Sequence, residues 1–125
     1  MSINEATKAN LRRKSGFVDN VQEVDGIPLF SWIDINITEL CNRKCVFCPR
    51  VDENLYPNQN LNMSIALAEK IGLELKDLSY EGTIIFSGFG EPTLHPQLLD
   101  LIASLRGAHH LELVTNGDKL SKSSI

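Results

Sequence analysis

The sequence predicts an α/β fold built on a parallel sheet, and three observations predict it. Ile33, Ile35 and Ile37 alternate with Asp34, Asn36 and Thr38; apolar residues recur at three- and four-residue spacing after Ser64 and after Pro96; and short apolar runs at 83–86 and 111–115 end in glycine-bearing turns. The resulting order is strand, helix, strand, helix, strand. Strands joined through helices pair in parallel with right-handed crossovers. A parallel sheet places all its carboxyl ends on one side, and that is where α/β proteins bind their ligands.

Residues 1–27 are polar and weakly periodic, which predicts a peripheral arm with one short helix, distinct from a body spanning 28–125. The basic patch Arg12, Arg13 and Lys14 reads as a solvated face, with phosphate contact as the alternative. From Leu29 onward the alternation marks the first strand of the sheet. Its isoleucine face packs on helices, while Asp34, Asn36 and Thr38 on the other face need partners or a wet cavity, because unpaired buried polar groups are costly. Residues 49–62, with two prolines and four asparagines, are a loop. Ser64 is an N-cap for a helix carrying Ile65, Ala68, Ile71, Leu75 and Leu78 and ending before Gly82. Thr83 to Phe86 is a buried strand and Ser87 to Pro92 its turn. Pro96 opens a second helix with Leu98, Leu101, Ile102 and Leu105, stopped at Gly107. The third strand, Leu111 to Thr115, is led in by His109-His110 and runs into Asn116-Gly117. Trp32 is expected in the core.

The composition narrows the function. The 125 residues suffice for one core, and 42% hydrophobic with 22% charged residues is the usage of a globular protein. Twelve Lys+Arg against sixteen Asp+Glu leave a net charge of -4, without the basic footprint on which nucleic-acid affinity rests. No leader-like apolar region opens the chain and no stretch is long enough to cross a bilayer, so the expected location is the cytoplasm, with no membrane partner. Cys41, Cys45 and Cys48 fall within eight positions, and three thiols cannot close a disulfide set.

Three unusual segments follow the three strands: CNRKCVFC, GFGEP and TNG. Parallel strands would bring all three to one pocket. Thiolates at i, i+4 and i+7 suit zinc or an iron–sulfur cluster. Zinc asks for a fourth ligand, for which His95 is the candidate; three buried thiols are the bland alternative. A [4Fe-4S] cluster on three thiolates leaves one iron open to a ligand.

In these residues the chain resembles the radical SAM superfamily. Cys41, Cys45, Phe47 and Cys48 match its C-x3-C-x2-C signature with an aromatic before the last cysteine, and Gly88-Phe89-Gly90-Glu91-Pro92 matches its glycine-glycine-glutamate-proline turn, with Phe89 between the glycines. The resemblance implies the first three βα units of a parallel partial (β/α) barrel. It implies Cys41, Cys45 and Cys48 as ligands of a [4Fe-4S] cluster, and S-adenosyl-L-methionine bound at the open iron and cleaved reductively to a 5′-deoxyadenosyl radical that acts on an unknown substrate. Gly88, Phe89 and Gly90 would present backbone carbonyls, aided by the Glu91 carboxylate, to the methionine ammonium. Phe47 would meet the adenine, and Thr115 and Asn116 would reach toward the cofactor, a plain strand-ending turn being the alternative for that pair. A low-potential flavodoxin- or ferredoxin-like donor is implied.

Other polar residues are assigned lesser parts. Asp34, Asn36 and Thr38 are expected to form a polar ladder, with Asn36 and Thr38 touching the cysteine loop. Arg50 is expected either to pair a substrate or cofactor carboxylate or to be solvated, and His95 to be a cap or a loop residue. The family's core continues through further βα units, so the chain is expected to be a fragment or a truncated form. The rival functions are a non-catalytic metal-binding or electron-transfer module using the same cysteines, and an inactive fragment.

Overall fold

The structure, a computed structural model, describes residues 4–19, 21–105 and 110–121. The arm is more structured than its sequence suggested. Helix α1 runs Glu5–Asp19, opened by Asn4, whose Oδ1 accepts from Thr7 N at 2.7 Å. Every described side chain of α1 is exposed, Arg12 and Lys14 included. A two-stranded ribbon follows, β1 (Glu23–Val24) paired antiparallel with β2 (Ile27–Pro28). Asp25 and Gly26 make its turn at φ 52° and 77°, the left-handed pair that an Asp-Gly hairpin requires. Gln22 staples the ribbon to the body: its Nε2 donates to Ser79 O at 2.7 Å and its Oε1 accepts from Glu81 N at 2.9 Å.

The body is α/β, with a parallel three-stranded sheet in the order β3-β4-β5. These strands are β3 (Trp32–Ile35), β4 (Thr83–Phe86) and β5 (His110–Leu113). Helix α2 (Ile65–Asp77) joins β3 to β4, and α3 (Leu98–Leu105) joins β4 to β5. Ser64 caps α2 as expected, its Oγ accepting from Leu67 N at 3.2 Å. The helix ends without a glycine: Ser79 takes φ 49°, Ser79 N donates to Lys76 O and Tyr80 N to Leu75 O, both at 2.9 Å. That is a Schellman closure with serine in the left-handed position.

Both helices cover one face of the sheet. Ile84, Phe86 and Leu101 are fully buried there with Leu105 and Ala68, and Ile33, Ile35, Leu111 and Leu113 pack against them. Each such buried Leu, Ile or Phe stabilises the fold by roughly 1.5–3 kcal/mol. Because strand side chains alternate, Trp32, Asp34, Thr83, Ile85, His110 and Glu112 occupy the opposite face. Trp32, expected in the core, is therefore 45% exposed, with its Nε1 on Asp34 Oδ2 at 3.1 Å.

Several boundaries differ from expectation. β3 stops at Ile35, so alternation lapses and both Ile37 and Thr38 are buried. The second helix begins at Leu98, because Pro96 lies in the turn that follows a short 3-10 segment, Pro92–Leu94. The last strand starts at His110 and ends at Leu113. Gly107 and His109 lie outside the described residues.

Candidate functional site

The cysteine loop follows β3 and lacks regular structure until a 3-10 turn at Pro49–Val51. Its shape is therefore set by local bonds and by side chains from elsewhere. Cys48 N donates to Cys45 O at 2.9 Å, and Cys41 N donates to Asn58 Oδ1 at 2.9 Å. All three thiols are free and partly exposed, while Val46 and Phe47 project with 89% exposure each. A cavity of about 120 Å³ lies behind the loop, lined by Cys41, Arg43, Arg50, Tyr56 and Asn58 among others.

The glycine-rich turn after β4 presses against the tail of β3. A Cβ on Gly90 would stand 1.7 Å from Thr38 O, and one on Gly88, at φ +117°, would stand 2.8 Å from the Asn36 side chain. Both glycines are thus required by the neighbouring chain. Glu91, only 3% exposed, then locks the turn in place: its N donates to Leu40 O at 2.7 Å, next to Cys41. Its Oε1 accepts from Thr93 N (3.1 Å), Thr93 Oγ1 (2.6 Å) and Thr115 Oγ1 (2.5 Å), and its Oε2 accepts from Asn116 N (2.8 Å). Burial pushes this carboxyl up, but the hydrogen bonds from Asn116, Thr115 and Thr93 outweigh it and hold it below the usual carboxylate value.

The third segment clasps the first. Asn116 Nδ2 donates to Asn42 Oδ1 at 2.9 Å. Asp118 accepts from Asn42 Nδ2 and Arg43 Nε, each at 2.9 Å, and from Arg43 Nη2. This bidentate pairing pushes Arg43 up and Asp118 down from their ordinary pKa values. The three strand-end segments thus meet as the sequence anticipated, and Glu91, Thr115 and Asn116 are brought together.

Some assignments change. Arg50 is not solvated: it is 3% exposed and paired within the chain, donating from Nε to Phe89 O at 2.5 Å and from Nη2 to Glu39 Oε2 at 2.9 Å. Asn36 faces Glu39 and the glycine turn, with Nδ2 on Glu39 Oε1 at 2.8 Å, rather than the cysteines. Thr38 Oγ1 donates to Asn62 Oδ1 at 2.7 Å and accepts from Leu40 N at 3.1 Å, so it shapes the entry to the loop. Asp34 accepts from Ser87 Oγ at 2.6 Å. The ladder exists, and it supports chiefly the glycine turn. His95 acts as a cap: Nδ1 accepts from Gln97 N at 3.1 Å, which leaves the proton on Nε2 to donate to Met63 O at 3.0 Å.

The donor set fits an iron–sulfur cluster better than zinc. Three soft thiols stand free on one loop, while both nitrogens of His95, the candidate fourth zinc ligand, are already engaged. Among the described residues no three His, Cys, Asp or Glu side chains converge on the point a single ion would occupy. A cluster needs no such convergence, because each thiolate binds its own iron. A cavity of about 680 Å³ opens at the opposite end of the sheet beside Val21, Phe30, Ser31 and His110, and none of the strand-end site residues lines it.

Sequence reasoning passed over Glu39, Asn42, Arg43, Tyr56, Asn58 and Asp118. The bare stretch Asn42-Arg43 between two cysteines, and an aspartate closing TNGD, were the available signals for the clasp.

The family model for the Radical SAM superfamily matches residues 35–124. The chain is 30% identical over 101 residues to an S-adenosyl-L-methionine-dependent 2-deoxy-scyllo-inosamine dehydrogenase of Niallia circulans, covering 78% of this chain and 39% of that protein. It is 29% identical over 98 residues to a GTP 3′,8-cyclase of Vibrio atlanticus, covering 74% of this chain and 28% of the cyclase. Among solved structures, BtrN in complex with AdoMet and 2-DOIA superposes with a TM-score of 0.67 at 29% identity, covering 77% of this chain and 39% of BtrN. The chain thus spans well under half the length of these relatives. Among the described residues no helix is long and apolar enough to cross a membrane.

Proposed function

The chain belongs to the radical SAM superfamily, and from that premise we propose that it forms part of an enzyme that binds a [4Fe-4S] cluster and cleaves S-adenosylmethionine reductively to a 5′-deoxyadenosyl radical. The observation that carries this reading is the mutual tethering of the three strand-end segments. Glu91 binds Leu40, Thr115 and Asn116, while Asn116 and Asp118 bind the stretch between the first two cysteines. Such tethering holds ligands at fixed separations before anything binds, which is what positioning catalysis needs.

In this reading Cys41, Cys45 and Cys48 hold the cluster. When bound, cluster and cofactor together supply the electron and the radical, while the protein supplies binding and orientation. Backbone carbonyls of Gly88 and Gly90 would accept from the methionine ammonium. Glu91 works indirectly: with three donors on Oε1 and one on Oε2, it fixes where those carbonyls stand and where Thr115 and Asn116 begin. Phe47, which projects from the loop, would cover the adenine. Three free thiols suit a reducing compartment such as the cytoplasm, and the electron comes from a flavodoxin- or ferredoxin-like protein.

Anaerobic reconstitution tests the proposal. The expected result is about four iron and four sulfide per chain, a further change in the cluster spectrum on adding S-adenosylmethionine, and loss of both in Cys45→Ala. Stoichiometric zinc with no iron–sulfur absorbance would overturn it.

A further inference from the structure

Arg50 is a buried cation that joins the cysteine loop to the glycine turn. It follows Cys48 by two residues, in the 3-10 turn that closes the cysteine loop. Its Nε donates to the carbonyl of Phe89, the middle residue of the glycine turn, at 2.5 Å. Its Nη2 pairs with Glu39, whose other oxygen holds Asn36, and Asn36 in turn accepts from Gly90 N at 3.4 Å. Its Nη1 lies 3.3 Å from Asn58 Oδ1, the same oxygen that receives Cys41 N. The guanidinium sits 4.6 Å from the Tyr56 ring centroid, and the Phe89 ring meets Tyr56 edge-on at 5.2 Å. One side chain thus touches the last-cysteine end of the loop, the acceptor that fixes its first cysteine, and the turn opposite.

From this geometry we propose that Arg50 is a positioning residue that sets the distance and orientation between the cysteine loop and the Gly88–Gly90 turn. The inference rests on the functional reading above and adds to it a division of labour within the turn. The Phe89 carbonyl is committed to the guanidinium, so the carbonyls of Gly88 and Gly90 are those left to a ligand. A guanidinium is required, because its rigid fork serves a carbonyl and a carboxylate at once, whereas an ammonium is a compact point charge that cannot hold both in that geometry. Removing it takes the guanidinium donor from the Phe89 carbonyl and from Oε2 of the partly buried Glu39.

Arg50→Lys and Arg50→Met in the full chain test this, with Lys keeping the charge beside Glu39 so that the fold survives. In the metal-free protein the expected result is amide exchange roughly tenfold or more faster across 88–91 in both variants, with 84–86 and 101–105 unchanged. After anaerobic loading, S-adenosylmethionine should bind each variant roughly tenfold or more weakly at unaltered iron content. Exchange raised evenly across the chain would make Arg50 a stabiliser only, and wild-type exchange in Arg50→Lys would show that charge alone suffices; either result overturns the proposal. A wild-type chain that loads no cluster overturns the functional reading and leaves the metal-free exchange to decide this one.

Discussion

Replacing Glu91 by Gln keeps the shape of a buried side chain and inverts one of its hydrogen-bonding edges. The carboxylate receives a backbone N–H on each oxygen, Thr93 N on Oε1 and Asn116 N on Oε2. The hydroxyls of Thr93 and Thr115 can rotate to accommodate an amide, but the two backbone donors cannot. Whichever way the new amide turns, its NH₂ opposes one of them, leaving a buried donor unsatisfied at a cost of about 1–3 kcal/mol. The remaining bonds lose their charge assistance, worth about another 1 kcal/mol. The expected loss is thus about 3 kcal/mol, a large share of the 5–15 kcal/mol that holds a domain together. Urea denaturation reads it: with an m-value of roughly 1–3 kcal/mol/M the midpoint falls by about 1–3 M. A midpoint within about 0.3 M of wild type would refute the claim that Glu91 ties the three segments together.

Acid should release the same tie. The folded pKa of Glu91 lies below its ordinary value of 4.5, so its contribution is complete at neutral pH and erodes as pH falls below 4.5 through the depressed value. Denaturation midpoints across pH 3–6 should show this slope in wild type and a shallower one in Glu91→Gln. Gly90→Ala puts a methyl group 1.7 Å from a backbone oxygen, where no side chain can yield; more than about 3 kcal/mol of lost stability is expected by thermal melting, in line with severe overpacking. Asp118→Asn should leave the denaturation midpoint unmoved, because the pairing with Arg43 is solvent-exposed, yet speed amide exchange at 42–45, where Asp118 holds both Asn42 and Arg43. Leu101→Ala, at a fully buried position between helix and sheet, should cost about 2–5 kcal/mol by the same urea titration.

Wherever one physical signal dominates, sequence and structure agree. Strand β4 is an unbroken apolar run and begins and ends where its pattern does, and α2 carries both a cap and a clear spacing. The meeting of the three loops was legible too, because parallel pairing leaves strand ends on one side. What stayed hidden depends on partners distant in the chain. Arg50 looks like any surface cation until Glu39, Phe89 and Tyr56 surround it, and Trp32 looks like core until its strand position turns it to the uncovered face. Gly88 and Gly90 suggested room for a ligand, whereas the space beside them is filled by Asn36 and Thr38. The Asp25-Gly26 hairpin carried a plain local signal that the polar character of its surroundings masked.

The clasp between Asp118 and the Asn42-Arg43 stretch also has a consequence in time. Seventy residues separate Cys48 from Asp118, and a ribosome adding about 5–20 residues per second takes about 4–14 s to bridge them. In every round of translation the thiols therefore leave the ribosome ahead of the carboxylate that shapes their loop, by that same interval. Whatever shape the cysteine loop holds before Asp118 follows it out is therefore reached without the clasp.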